Sequence, residues 1–375
     1  MNEHTLRKTY NYKLQATSEQ VRALEFVLCR CCELYNAGLD ERRDAWQKSG
    51  VSVTKAMQSA QLPDIKEVRP DYSDIHSQAL QDVLTWLDRA FQAFFRRVKN
   101  DETPGYPRFQ GSKRYNSLTY KQFGNGATLD NGFLILSKIG RLVVRWSRPL
   151  EGTPKTVTIS READGYYVCF SCADISVEPL PPTGQETGVD VGLASFATLS
   201  NGKRIFNPRW YRTAERRLKA AQRRVSRWKK ASNRRRKAVA LLAKAHQKVK
   251  RQRQDFHHKE ARKLVQQHDM IYLEDLQVAN MLRNHRLAKS ISDASWAQFR
   301  AILEAKAVYA GRRVVAAPPA YTSQDCSGCG RRVLKSLSVR THLCPHPDCG
   351  LVSDRDENAA SNIERAGQAL RGAVA

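Results

Sequence analysis

The sequence predicts a multidomain α/β protein, with a helical lobe inserted in a β-rich domain and a cysteine module inserted in a carboxyl-terminal α/β domain. Three observations carry this prediction. Hydrophobic periodicity is helical over residues 15–103, strand-like over 104–182, and alternates between the two afterwards. The stretch Leu180-Pro-Pro-Thr-Gly184 punctuates the chain as a linker. Four cysteines in two close pairs lie within 321–350. At 375 residues and 41% hydrophobic content, the chain can build two or three packed units.

Residues 5–14 alternate and predict an isolated strand. Thr17 and Gln20 form a capping box for a helix running to about Gln47, with Val21, Leu24, Phe26, Val27, Leu28 and Cys31 facing inward. Residues 50–72 are polar and contain proline, so a loop or short helices are expected. A second helix is expected from about Asp74 to Val98, with Ile75, Leu80, Leu84, Leu87, Phe91, Phe94 and Phe95 as its stripe. Strands follow at 132–137, 141–146, 156–162 and 165–174, the last two as a hairpin around Ala163 and Asp164. The strand 5–14 is expected to join them across the helical insertion. GVDVGLASFATLSNGKRI gives two tightly joined strands, and 209–266 two long helices broken near Ser232-Asn233. A strand at 270–276, a helix at 294–310, a strand at 312–317 and a helix at 357–371 complete an order that suits an RNase H-like domain.

The net charge is +26 and the sequence pI is near 9.9. A small-metabolite enzyme has little use for such a balance, whereas a polyanion partner explains it through counterion release. The amino terminus shows no apolar signal region, and no run of about 18 apolar residues exists. No membrane partner is therefore expected. Nine cysteines, an odd number, argue against a disulfide framework and for a reducing compartment, such as a bacterial cytoplasm.

Three acids are candidates for catalysis. Asp190 lies in Gly-Val-Asp-Val-Gly, where alternation turns Val189 and Val191 one way and Asp190 the other. Glu274 ends the apolar run Ile271-Tyr272-Leu273, and Asp356 opens the last helix. Acids brought together repel unless cations sit between them, and hard oxygen donors favour Mg²⁺ or Mn²⁺. Asp275 should face away from Glu274, and Asp354 is a candidate N-cap.

Cys326, Cys329, Cys344 and Cys349 have the paired spacing of a closed, structural four-cysteine Zn²⁺ site. His346, inside the wider second gap, is a minor rival ligand. Cys169 and Cys172 fall on a strand with side chains on opposite faces, and Cys29, Cys31 and Cys32 read as ordinary helix residues.

Between Lys203 and Lys263 lie 24 Lys or Arg against three acids. Arg223, Arg224, Lys229, Lys230, Arg234, Arg235 and Arg236 mark the densest part and are candidate phosphate contacts. A second basic stretch interleaves aromatics and includes Tyr106, Arg108, Phe109, Lys113 and Arg114, a mix suited to backbone contact and base stacking. Tyr115, Tyr120 and Phe123 continue it, with a core role as the competing reading.

The blocks GVDVGL, IYLEDL, TSQDCSGCG and DRDENAASNI, with GYPRFQGSKRYNSLTY and SISDASWAQFR, resemble the signature blocks of the TnpB (OrfB) proteins of bacterial insertion sequences. The resemblance runs along nearly the whole chain. It implies a β-barrel-like wedge domain (1–14 and 104–182), an inserted helical recognition lobe (15–103), a RuvC-like nuclease domain (183–320 and 351–375) and an inserted zinc ribbon (321–350). It also implies a transposon-derived guide RNA and a double-stranded DNA target read beside a short flanking motif. On this reading Asp190, Glu274 and Asp356 are the nuclease acids. Alternatives are a cleavage-inactive RNA-guided repressor, a strand-transferring transposase, and a junction-resolving or RNA-cleaving RNase H-type enzyme.

Overall fold

A computed structural model describes residues 6–336 and 338–374, with side chains as far as residue 371. Two compact units divide it, one up to Ser176 and one from Val177.

The first unit starts with β1 (Leu6–Gln15). Helix α1 (Ser18–Ser49) follows, opened by the capping box in which Thr17 and Gln20 bond reciprocally and closed by Gly50 at φ 63°. Short helices α2 (Lys55–Ala60) and α3 (Leu62–Val68) and a 3₁₀ turn at Pro70–Asp74 lead to α4 (Ser77–Lys99). This last helix begins three residues later than expected, because Ile75 and His76 are extended and His76 caps it. Its stripe is buried through Phe91, but Phe95 is exposed. There it packs edge-on against Phe94 rather than into a core.

The strands β2 (Ser117–Tyr120), β3 (Ala127–Asp130), β4 (Phe133–Leu136), β5 (Gly140–Arg145), β6 (Thr153–Glu162) and β7 (Gly165–Ile175) complete a seven-stranded sheet. Its order is β2-β6-β7-β1-β5-β4-β3. Strand β1 pairs antiparallel with β7 and β5, so it does join the sheet across the inserted helices. The outermost strands β2 and β3 are consecutive in the chain, so the near-closed sheet brings its edges together. Gly126, in the link between them, needs its missing side chain: at φ +82°, a Cβ there would meet the His76 ring at 2.6 Å. Tyr120 is buried, which settles that aromatic as core.

The second unit holds a five-stranded sheet of order β10-β9-β8-β11-β12, formed by β8 (Glu186–Val191), β9 (Ser195–Leu199), β10 (Arg204–Phe206), β11 (Met270–Glu274) and β12 (Arg313–Ala317). The opening motif thus makes three strands rather than two. Strands β8, β9 and β10 form an antiparallel meander, while β8, β11 and β12 run parallel.

Helices α5 (Trp210–Arg227) and α6 (Asn233–Gln267) break at Ser232, which caps α6. Two short helices, α7 (Val278–Met281) and α8 (Ala288–Ala294), precede α9 (Trp296–Tyr309). Ser295 at φ 56° separates α8 from α9, so the helix expected from 294 starts at Trp296, and Ala294 ends α8 instead. A short hairpin, β13 (Thr341–Leu343) and β14 (Val352–Asp354), leads to α10 (Arg355–Val374).

The linker is bound to this unit. Asp269 accepts hydrogen bonds from Thr183 N (2.9 Å) and Gly184 N (2.7 Å), and Arg312 reaches Pro181 O at 2.7 Å. Buried Arg312 also pairs with Asp269 at 2.6 Å. The ion pair and the linker amides satisfy one another, which explains why the unit starts before the proline stretch.

Alternation along β8 and β11 sorts the second core. Val189, Ile271 and Leu273 pack with Leu264, Phe299 and Leu303 of α6 and α9. Gly188 and Tyr272 face α10 instead. A Cβ on Gly188 would stand 1.9 Å from Ala360 O, and one on Gly367 would stand 2.0 Å from the Tyr272 ring. These glycines let α10 lie directly on the sheet.

Candidate functional site

Residues 188 and 190 share a face of β8, and 272 and 274 share a face of β11. Leu273 pairs with Val189 across the parallel strands, so Asp190 and Glu274 follow side by side at the strand ends. Both lie on the face that α10 covers. The helix delivers Asp356 from its first turn, after Asp354 accepts from Asp356 N at 3.0 Å and Glu357 N at 3.4 Å as N-cap. Asp275 lies apart, exposed and paired with Arg300 at 2.6 Å.

The three acids act on one another electrostatically. Burial raises the Asp190 carboxyl to about 8, and the charges of Glu274 and Asp356 add to it while Arg355 opposes. Glu274 is also raised by burial, against a hydrogen bond from Thr322 Oγ1 at 2.6 Å that favours its charged form. Arg340 and Arg355 approach Asp356 at 3.6 and 3.3 Å. The acid oxygens are not all mutually within 4.8 Å; among the described residues only the four-cysteine group meets that spacing.

That group comprises Cys326, Cys329, Cys344 and Cys349. The Cys326–Cys349 and Cys329–Cys344 sulfur pairs are each 3.7 Å apart. A disulfide would need about 2 Å. Tetrahedral zinc with Zn–S bonds of about 2.3 Å sets sulfurs ~3.8 Å apart, so the cluster fits a zinc ion. Burial pushes the Cys326 thiol up, but backbone N–H groups of Cys329 and Gly328 and the His342 ring outweigh it, holding it at about 6. His346 stands outside the sulfur cluster; its carbonyl accepts from Cys349 N at 2.9 Å.

The remaining thiols read as expected. Cys31, Cys32 and Cys172 are buried, and burial pushes the Cys31 thiol up to about 12. Cys29 is exposed and Cys169 half-buried.

Most of the candidate phosphate contacts are exposed: Arg223, Arg224, Lys229, Lys230, Arg234 and Arg236. Arg235 is different. It is half-buried and donates to Val225 O at 2.8 Å and Trp228 O at 3.2 Å, closing the α5–α6 turn. It is therefore a structural arginine rather than a free contact. In the first unit, Tyr106, Arg108, Phe109, Lys113 and Arg114 are all exposed, on a segment without strand or helix. Tyr106 packs edge-on against Phe91 and Phe94, and Arg43 lies over Phe109 at 5.3 Å.

Sequence reasoning missed Thr322, Asn358 and Asn362. Asn358 Nδ2 donates to Asp325 O at 2.8 Å, and Asn358 Oδ1 accepts from Ser327 N at 2.9 Å. Asn362 Nδ2 donates to Thr322 O and Asp325 O at 2.9 and 2.6 Å. Their four-residue spacing on one expected helix was the available signal, and both prove to be buried.

Comparison with known proteins gives the family. Residues 161–285 match the OrfB_IS605 model, described as "Probable transposase", and residues 296–363 match the Cas12f1-like TNB domain. A Streptomyces pristinaespiralis protein named "Putative RNA-guided DNA endonuclease" is 37% identical over 97% of this chain and 90% of its own length. The chain belongs to the TnpB (OrfB) family. Escherichia coli InsQ, which carries the same description, is 29% identical over 97% of this chain and 93% of itself.

Two solved structures share the fold. One is a Cas12f1–sgRNA–target DNA complex, with TM-score 0.59, 14% identity and coverage of 96% of this chain and 99% of that one. The other is the mini-RNA-guided endonuclease CRISPR-Cas_phi3, with TM-score 0.56, 10% identity and coverage of 96% and 92%. Among the described residues, no helix is long and apolar enough to cross a membrane.

Proposed function

We propose that this chain is an RNA-guided DNA endonuclease of a transposable element, cutting target DNA beside a short flanking motif by metal-dependent phosphodiester hydrolysis. Nearly full-length relatives bearing that description support the activity. The carrying observation for the chemistry is geometric: Asp190 and Glu274 end neighbouring parallel strands on the face covered by α10, whose first turn bears Asp356, and the charges of the other two acids add to burial in pushing the Asp190 carboxyl up. Three acids so placed favour protons or cations over bare charge.

The sheet order supports an RNase H-like (RuvC) reading of residues 183–320 and 351–375, with the second strand alone antiparallel to the others. The seven-stranded sheet suits a wedge role for 1–14 and 104–182, and α1 to α4 a recognition role for 15–103.

Asp190, Glu274 and Asp356 are the residues that would hold Mg²⁺ or Mn²⁺, and their hard oxygens fit such ions. Oxygens on one Mg²⁺ lie no more than ~4.2 Å apart, so shared ligation requires the side chains to turn inward. A divalent ion there supplies Lewis-acid polarisation of the phosphodiester and an acidified water. Thr322 orients Glu274, and the Asp354 cap fixes the turn bearing Asp356. The four cysteines hold structural Zn²⁺ in the 321–350 module. Exposed Arg and Lys of α5 and α6 contact nucleic-acid backbone, while guide pairing supplies sequence specificity.

The test is to purify the protein from its host, sequence the RNA that accompanies it, and challenge the complex with matching DNA. The expected result is a defined RNA ending in a variable segment, with Mg²⁺-dependent cutting of the match. Absence of RNA, or cutting that ignores the match, refutes the guided reading. Strand joining instead of cutting would favour the transposase reading that the family description names.

A further inference from the structure

We propose that the zinc module sets the geometry of the active site, and that Thr322 is the positioning residue through which it does so. The inference rests on the nuclease reading above but concerns a residue and a coupling outside the acid set.

The module is tied to the acids through a short covalent and hydrogen-bonded path. Thr322 is 7% exposed, and its hydroxyl donates to Glu274 Oε1 at 2.6 Å. It lies four residues before the first candidate zinc ligand, Cys326. The intervening turn is closed by Gln324 N and Asp325 N, which both donate to Tyr321 O at 2.8 and 2.9 Å. Tyr321 itself holds φ 65°, a conformation a bulky residue adopts only when its surroundings impose it. Arg332, from within the knuckle, braces this turn by lying over the Tyr321 ring at 3.4 Å and bonding Asp325 at 3.0 Å.

The turn is fixed from its other side by α10. Asn362 holds the carbonyls of Thr322 and Asp325, and Asn358 holds Asp325 O and Ser327 N. The same helix carries Asp356 two residues before Asn358. One rigid turn therefore joins three things: the cysteine cluster, the Glu274 carboxylate and the helix that bears Asp356. Strand β11 ends at Glu274, so the side chain projects from a strand end and gains an outside support in Thr322. Groups that orient a metal ligand from behind commonly change metal affinity or activity about 10–100-fold when removed.

The test uses the full protein with its co-purified RNA, as wild type, Thr322→Val and Thr322→Ser. Valine keeps the shape and loses the hydroxyl, and serine restores it. Mn²⁺ affinity, zinc content, melting temperature and the Mg²⁺ dependence of cleavage are measured on each. The proposal expects Thr322→Val to bind Mn²⁺ at least about tenfold more weakly. Its half-saturating Mg²⁺ for cleavage should rise in parallel. Zinc content and melting should stay as in wild type, and Thr322→Ser should recover most of both losses.

An unchanged Mn²⁺ affinity in Thr322→Val overturns the proposal. So does equal impairment of the serine variant, or loss of zinc or melting stability in the valine variant, which would mark a purely structural role. If the wild type does not cut DNA at all, the nuclease reading fails while the Mn²⁺ comparison still decides this one.

Discussion

Replacing Asp190 by asparagine should stabilise the metal-free protein while abolishing its activity. Burial and two neighbouring acids move the Asp190 carboxyl from 3.8 to about 8. The folded form thus holds a proton that the unfolded chain releases near pH 4. Stability from this group is fully present below pH ~4, falls as pH rises, and has gone by about pH 8. At pH 7 the unfolded chain gains roughly 4 kcal/mol from ionising Asp190, at 1.36 kcal/mol per pH unit above its ordinary value. The side chain is only half-buried, so water screens part of this, and about 2 kcal/mol is the expected net effect. Asparagine cannot ionise and escapes the loss. For a unit of this size, about 2 kcal/mol corresponds to a melting increase of roughly 4–8 °C. The assay is thermal unfolding of nucleic-acid-free, zinc-loaded protein without Mg²⁺, from pH 4.5 to 9. The gap between variant and wild type should be small at the acid end, grow with pH and level off near pH 8. Added Mg²⁺ should close it by stabilising the wild type alone. A variant no more stable than wild type, or a gap independent of pH, would refute the claim that the acids repel one another.

Other consequences test separate parts of the account. Cys326→Ser should lower bound zinc, measured by atomic emission, and should lower the melting temperature of the second unit; unchanged zinc content would reject the cluster. Gly188→Ala should destabilise the second unit by about 3 kcal/mol in denaturant unfolding, because its methyl would stand 1.9 Å from the Ala360 carbonyl. Arg235→Ala should cost about 1–2 kcal/mol of stability through the lost turn bonds. Arg236→Ala should leave stability unchanged but reduce the salt dependence of nucleic-acid binding by about one unit of slope. Equal behaviour of these two arginine variants would contradict the division between structural and contacting residues.

The sequence made the acids legible because strand alternation and chain order are local signals. Asp190 between two valines had to leave the apolar face, and Glu274 had to end a buried strand. The cysteine spacing was equally plain, since a metal needs its ligands in close pairs. Strand β1 could be joined to the β-rich sheet because its alternation had no partner nearby. What escaped was set by tertiary context. Arg235 lies in a run of four basic residues, and only the turn geometry distinguishes it from Arg234 and Arg236. Phe95 continues the stripe of α4, yet the core ends one turn earlier. Thr322 has no periodic signature, because a hydroxyl that supports a distant carboxylate is specified by three-dimensional proximity alone. Gly188 was legible as a small residue beside Asp190. The space it leaves is filled by the α10 backbone, which the sequence could not show.

The central claim is that Asp190, Glu274 and Asp356 together bind the ions that cut DNA. Anomalous diffraction from crystals grown with Mn²⁺ and a bound nucleic acid measures this directly. Manganese peaks within bonding distance of all three carboxylates, lost in the Asp190→Ala protein, are predicted. Manganese bound elsewhere, or DNA cut at the wild-type rate by the Asp190→Ala protein, would contradict the claim.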